Sequence, residues 1–139
     1  MELSFVETKI AIIVRDDLLV WQKLNVTAFL TSGVIGAKAE LLGARYADAS
    51  GKTYLPLLVQ PIIVLSTDRE GLKKILNRAD TRGVEMALYT EDMFATGHDA
   101  ANRATVRKYA TEDLNLVGLA LRDEKKVVDK ITKGARMHP

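Results

Sequence analysis

The chain has 139 residues, 47% of them hydrophobic and 27% charged, which describes an ordinary folded globule of one domain and excludes a disordered segment. Its 20 basic and 18 acidic side chains leave a formal net charge of +2, too small an excess to imply a nucleic-acid partner without a concentrated basic face. The absence of cysteine excludes a disulfide framework, a thiol nucleophile and thiolate metal sites.

No stretch offers the ~20 uninterrupted apolar residues of a membrane span. Glu2 and Glu7 precede the first basic residue, Lys9, so the start does not read as a secretory signal. A cytoplasmic protein without a membrane partner is the expectation.

The first element is a run that is apolar on both faces, Lys9-Ile10-Ala11-Ile12-Ile13-Val14, leading straight into Arg15, Asp16 and Asp17. Its β-branched bulk predicts a buried strand over residues 9–14, in the middle of a helix-covered sheet. Ligands of open sheets bind beyond the strand ends, which places Arg15, Asp16 and Asp17 where chemistry could occur. A long helix is predicted over residues 21–42, with Leu24, Ala28, Thr31, Ile35 and Leu42 along its packed face. Gly33, Gly36 and Ala37 leave a flat strip on it, open to internal packing or to a subunit contact. Residues 45–53 read as a connection punctuated by Ser50-Gly51. Pro56 and Pro61 then confine the next strand to Ile62-Ile63-Val64-Leu65, because proline cannot donate to a ladder.

Thr67 and Glu70 read as a capping box for a helix carrying Leu72, Ile75, Leu76 and Ala79, with Gly83 at the left-handed position past its end. A strand follows over residues 84–89. Residues 90–113 form a polar insertion with a short helix over 99–109. The last strand spans 114–121, and Asp123 and Glu124 open a final helix that closes with Lys130 and Lys133 and stops at Gly134. His138 falls in the tail beyond. The alternation predicts an α/β fold, a three-layer α/β/α sandwich around a four-stranded mixed central sheet, in a single domain over residues 1–139. Arg15-Asp16-Asp17-Leu18 stands where a Gly-rich dinucleotide fingerprint would follow the first strand, and no phosphate-cradling lysine loop occurs, so no cofactor is expected.

The pattern resembles the type II peptidyl-tRNA hydrolases, which open with an apolar strand ending in Arg-x-Asp-Leu, then a lysine-bearing segment and a long helix. Val14-Arg15-Asp16-Asp17-Leu18, Lys23 and Val26-Thr27-Ala28 carry that likeness, continued by Leu116-Val117-Gly118-Leu119-Ala120 and Asp129-Lys130-Ile131-Thr132-Lys133-Gly134. The chain is more closely similar to an uncharacterised, mainly bacterial family of the same fold, through Trp21-Gln22-Lys23-Leu24-Asn25-Val26-Thr27-Ala28-Phe29-Leu30 and Met93-Phe94-Ala95-Thr96-Gly97-His98-Asp99-Ala100-Ala101-Asn102. The resemblance implies the hydrolase-like fold and a hydrolase of ester bonds. Departures from it bear on the chemistry. The hydrolases' glutamine and histidine on the long helix align with Phe29 and Ser32, their second lysine aligns with Asn25, and Tyr89-Thr90-Glu91-Asp92-Met93-Phe94 replaces their Asp-Ala-Gly-x-Thr. These points argue against inherited peptidyl-tRNA hydrolysis.

From the residues themselves, His98 next to Asp99 would suit a general base, with Thr96, Glu91 or Asp92 nearby, or would cap the following helix. Asp99 would equally serve as that cap. Asp16 and Asp17 would hold a substrate amine or, with Glu91 and Asp92, a hard cation. As adjacent strand residues they point to opposite faces, which weakens a shared site, so they also read as turn residues with Asp17 partnering Lys23. Lys23 and Asn25 at the start of the long helix would receive a carboxylate or phosphate, or stay solvated. Trp21 closes that pocket or staples the helix to the core. Arg103, Arg107 and Lys108 form a basic helical face, for RNA or for water. No transition-metal site is expected.

The expectation is one polar cleft at the sheet end gathering Arg15, Asp17, Lys23, Asn25, Thr96 and His98. His98, Asp17 and Lys23 are its catalytic candidates, and Arg15, Asn25, Thr96 and Asp99 its ligand-binding ones. Two functions fit it. One is a hydrolase of altered substrate, with tRNA as a possible partner. The other is a non-catalytic, homodimeric binding module for a small anion or a peptide end.

Overall fold

A computed structural model describes residues 7–139; the reading of the first residues as free of a signal falls, for Met1 to Val6, outside them. The chain forms a mixed α/β structure. In order, its elements are β1 (Thr8–Arg15), α1 (Val20–Ala37), β2 (Tyr46–Ala47), β3 (Thr53–Tyr54), β4 (Ile62–Thr67), α2 (Arg69–Thr81), β5 (Met86–Thr90), α3 (Asp99–Arg107), β6 (Leu116–Glu124), α4 (Lys125–Ile131) and β7 (Arg136–Met137). Three short 3₁₀ turns, Ala39–Leu41, Glu91–Ala95 and Thr111–Asp113, join them.

Five strands form the main sheet in the order β5-β6-β1-β4-β7, with β1 and β4 parallel and the other pairings antiparallel. The sequence predicts four. The fifth, β7, is two residues long, too short to show any alternation, and pairs Met137 with Leu65 and Arg136 with Ser66. A separate hairpin pairs β2 with β3.

The central strand β1 is buried along nearly its whole length. Its side chains alternate between faces. Ile12 and Val14 pack with Val26 and Leu30 of α1, and Ala11 and Ile13 pack with Leu72 and Ile75 of α2 and with Val128 and Ile131 of α4. Gly118 of β6 permits the approach of α1, because a Cβ there would lie 2.7 Å from Val26 Cγ1 and 2.9 Å from Leu30 Cδ1.

Three expectations about helices are corrected. The long helix ends at Ala37, and it buries Val26 and Leu30, not the line of Leu24, Ala28, Thr31 and Ile35. Leu24 and Ala28 are exposed, and Thr31 and Ile35 are half-buried. The cap of α2 is Asp68, whose Oδ1 accepts from the Gly71 amide at 2.8 Å, whereas Thr67 is the last residue of β4. Asp123 belongs to β6 and not to α4, whereas Glu124 both ends β6 and is the N-cap of α4, with no side-chain cap bond. Gly83 and Gly134, with φ of 67° and 98°, take the left-handed positions after α2 and α4.

Candidate functional site

The ends of β1, β4 and β5 and the starts of β6 and β7 lie at one end of the sheet, and an ion-pair network gathers there. Its centre is Arg15, the last residue of β1, which is only 5% exposed. Arg15 Nε donates to Asp17 Oδ1 at 2.6 Å, and its terminal nitrogen donates to Glu91 Oε2 at 3.2 Å and to the Leu116 carbonyl at 3.3 Å. Burial works to lower the pKa of this guanidinium, but the hydrogen bonds and charges of Asp17 and Glu91 outweigh it, so the pKa is raised and the cation held. Arg69 approaches the same Glu91 oxygen at 3.6 Å. Asp16 turns to a different partner, Arg136, at 3.5 Å. Asp16 and Asp17 are thus divided between two cations. Among the described residues no group of three or more histidine, cysteine or carboxylate side chains could hold a metal ion.

Asp17 partners Arg15, and not Lys23 as the sequence suggests. Lys23 is half-buried and Asn25 exposed in the first turns of α1. Leu19, which caps α1, gives its N–H to Gln22 Oε1 at 2.9 Å. Thr96 donates to the Met93 carbonyl at 2.9 Å and is hydrogen-bonded to Asn102. His98 is the N-cap of α3, its Nδ1 accepting from the Ala101 amide at 3.2 Å. The capping role therefore falls to His98, and Asp99, one residue on, pairs with Arg103. With Nδ1 accepting, the neutral imidazole carries its hydrogen on Nε2, so neither ring nitrogen is free to act as a base in this arrangement.

Aromatic contacts tie the inserted segment to the long helix. Phe94 packs edge-on against Trp21, ring centroids 5.9 Å apart, and against Tyr89 at 5.4 Å, and Tyr89 in turn meets Phe29 at 5.8 Å. Burial raises the pKa of the Tyr89 phenol. The Tyr109 phenol is raised by its hydrogen bond to Asp92 and that residue's charge. The structure thus joins Arg15 to Asp17 and brings the insertion against the start of α1. Among the described residues it draws no hydrogen bond or ion pair from His98 to Asp17 or Lys23.

A feature not foreseen from the sequence lies beside this network. A groove of about 670 Å³ has Phe29 and Gly33 of α1 on one wall, Arg103 and Arg107 of α3 on the other, and Ala87, Leu88 and Tyr89 of β5 beneath. Because β5 is the outermost strand among the described residues and three consecutive residues alternate in face, a cavity touching all three runs along that edge of the sheet. Its volume falls in the range of ligand sites, roughly 300–1,000 Å³. Arg107 makes no ion pair among the described residues. The sequence carries one signal of this groove, a polar insertion following directly on an apolar strand. That β5 is an edge strand is a property of the assembled sheet and has no local trace.

The sequence profile of a family described as a protein of unknown function, DUF2000, matches residues 8–139. No curated protein matches the chain. Among solved structures, a protein of unknown function from Agrobacterium tumefaciens strain C58 superposes with a TM-score of 0.94 and is 53% identical, over 96% of this chain and 98% of that one. The chain belongs to the DUF2000 family of proteins of unknown function.

Proposed function

We propose that this protein is a non-catalytic binding module of peptidyl-tRNA-hydrolase-like fold, and that its ligand is an extended peptide end. The observation that carries this reading is the groove along the open edge of β5. An edge strand offers a row of unpaired N–H and C=O groups, and an incoming segment that adds to it gains main-chain hydrogen bonds, while wall pockets select alternate side chains. The apolar wall of Phe29 and Tyr89 suits an apolar side chain, and Arg107 suits a terminal carboxylate. Arg15 spends its hydrogen bonds on Asp17, Glu91 and a carbonyl, and His98 spends its Nδ1 on a helix cap, which favours binding over catalysis.

The test is a nuclear magnetic resonance titration with short extended peptides, apolar at alternate positions and ending in a free carboxylate. Shifts concentrated on the Ala87, Leu88 and Tyr89 amides are expected, with binding about tenfold weaker for amidated peptides and for Arg107→Glu. Shifts elsewhere, or equal affinity for amidated peptides, refute it.

A second reading, an ester hydrolase of altered substrate, draws on the contact of Phe94 with Trp21, which brings the insertion to the helix start that carries Lys23. On this reading His98 would have to give up its cap of α3, or Asp17 its pair with Arg15, to activate water. Lys23 and Asn25 would stabilise the oxyanion, and Arg15, Thr96 and Asp99 would bind substrate, tRNA being one candidate. Turnover of aminoacyl esters that falls in His98→Ala supports it, and turnover that does not change removes His98.

A further inference from the structure

Helix α1 has a second apolar line besides the one it packs on the sheet. Trp21, Leu24, Ala28, Thr31 and Ile35 recur at alternating spacings of three and four residues, the spacing of a seam between two helices. Trp21 is 57% and Leu24 67% exposed. Lys23 is the one charged residue among the 18 of the helix. Gln22, Asn25 and Ser32 also lie on the helix, but the outer line itself carries no charge, and a contiguous exposed apolar line of this kind marks an interaction face. The Thr31 hydroxyl donates to the Thr27 carbonyl at 2.7 Å, so the seam presents no unsatisfied polar group at that position.

A second uncovered region stands past the other end of α1. Residues 43–59 form an arm built on the β2–β3 hairpin, in which every strand residue is exposed. Leu55 is 73% and Leu57 60% exposed. An isolated two-stranded hairpin is marginal in water unless something packs against it. This one is nonetheless held in shape by Asp48, which accepts from the Ser50 and Lys52 amides and from the Tyr54 hydroxyl.

We infer that both regions are covered by a second copy of this chain, in a two-fold dimer whose α1 helices pack antiparallel along the Leu24–Ala28–Thr31–Ile35 seam. A two-fold explains two apolar regions separated by the length of a helix of about 27 Å. Antiparallel packing carries the arm at the end of one helix onto the Trp21 and Leu24 end of its partner, and the same contact recurs reciprocally. Ala28 and Thr31 lie at the middle of α1, where small side chains allow two backbones to approach. The size also fits. Trp21, Leu24, Leu55 and Leu57 are each more than half exposed. With Val20, Val59 and Leu42, which precedes the arm, they offer on the order of 500 Å² of apolar surface. At the ~65% apolar share of homodimer interfaces that corresponds to about 800 Å² per copy, the area of a standard stable interface.

The test combines light scattering with thiol crosslinking. Light scattering of the full chain across a concentration series is expected to give twice the monomer mass. Leu24→Glu and Leu55→Asp, each with unchanged circular dichroism, are expected to raise the dissociation constant about tenfold or more. Because the chain has no cysteine, Ala28→Cys supplies a unique thiol near the two-fold, and oxidation is expected to link two copies. The same thiol on the far side of the sheet, Glu70→Cys, is expected to give no comparable product. A wild type that stays monomeric throughout overturns the inference and assigns the seam to another partner. A dimer that survives Leu24→Glu and gives no Ala28→Cys product overturns the seam. One indifferent to Leu55→Asp overturns the role of the arm.

Discussion

Helices α1 and α2 pack on opposite faces of one strand, yet they are built on different rules. In α2, six of 13 residues are charged, and the apolar Leu72, Ile75, Leu76 and Ala79 all face the sheet. Its start is closed by Asp68 and its outer side belongs to water. In α1, one of 18 residues is charged, only Val26 and Leu30 are fully buried, and no side chain of its N-cap residue bonds the helix. The contrast teaches that apolar content alone does not say which face of a helix meets the core. In α2 the charges remove the ambiguity, and in α1 nothing does.

The largest effect that separates the two helices comes from truncating their leucines. Leu72→Ala removes a side chain with no exposure and is expected to lower unfolding stability by about 2–5 kcal/mol, as is Leu30→Ala on the inner side of α1. Leu24→Ala, in dilute protein where copies are apart, is expected to change it by less than about 0.5 kcal/mol. Urea unfolding measures all three. A loss at position 24 as large as that at 72, independent of protein concentration, would mean that the outer line of α1 is packed within its own chain.

Glycines sharpen the comparison within α1 itself. Gly118→Ala places a methyl group against Val26, Leu30 and the Ile13 carbonyl, and is expected to cost about 1–3 kcal/mol by pushing α1 off the sheet. Gly36→Ala, where a Cβ meets nothing within 4 Å, is expected to stabilise by about 0.5–1 kcal/mol through helix propensity. Thermal melts of the two variants should therefore move in opposite directions. Next in size is the cap of α2. Asp68→Ala is expected to cost about 1 kcal/mol, with the loss of amide-exchange protection confined to the first turn of that helix. Protection lost evenly along α2 would mean that Asp68 does something other than cap.

How much of this was legible in the sequence follows from the same contrast. Strands β1, β4, β5 and β6 could be read because β-branched runs bounded by proline, glycine or charge have few other solutions. The amphipathic pattern and the glycine stop of α2 were legible too, though the cap was read one residue early, since Thr67 and Asp68 are both good capping residues. Which apolar line of α1 is inner could not be read, because both lines have helical spacing. Strand β7 and the β2–β3 hairpin are two residues per strand and carry no periodicity. Of the site residues, Arg15 and Asp17 were legible as candidates because they follow a buried strand directly, but their pairing was not, since the sequence points Asp17 to Lys23. Glu91, which completes the network, lies 76 residues from Arg15. The groove is made by three elements that meet only after folding.

The smallest effect concerns Tyr89, which lies against Phe29 of α1 and Phe94 of the insertion. Burial raises the pKa of its phenol above the ordinary 10.0, so the folded chain keeps this proton where the unfolded chain has released it. Above about pH 10 the unfolded state binds fewer protons than the folded one, and stability falls as pH rises, until the pH passes the folded pKa. Below that window the group contributes no pH dependence. Tyr89→Phe keeps the ring contacts and removes the proton, so its stability should decline less steeply than the wild type's above about pH 10 while matching its pH dependence near neutrality. Tyr109, raised by Asp92, and Tyr54, raised by Asp48, titrate alike in both proteins, so the difference between the two profiles isolates Tyr89. Identical alkaline profiles for the two proteins would place the Tyr89 hydroxyl in contact with water, and with it the floor of the groove.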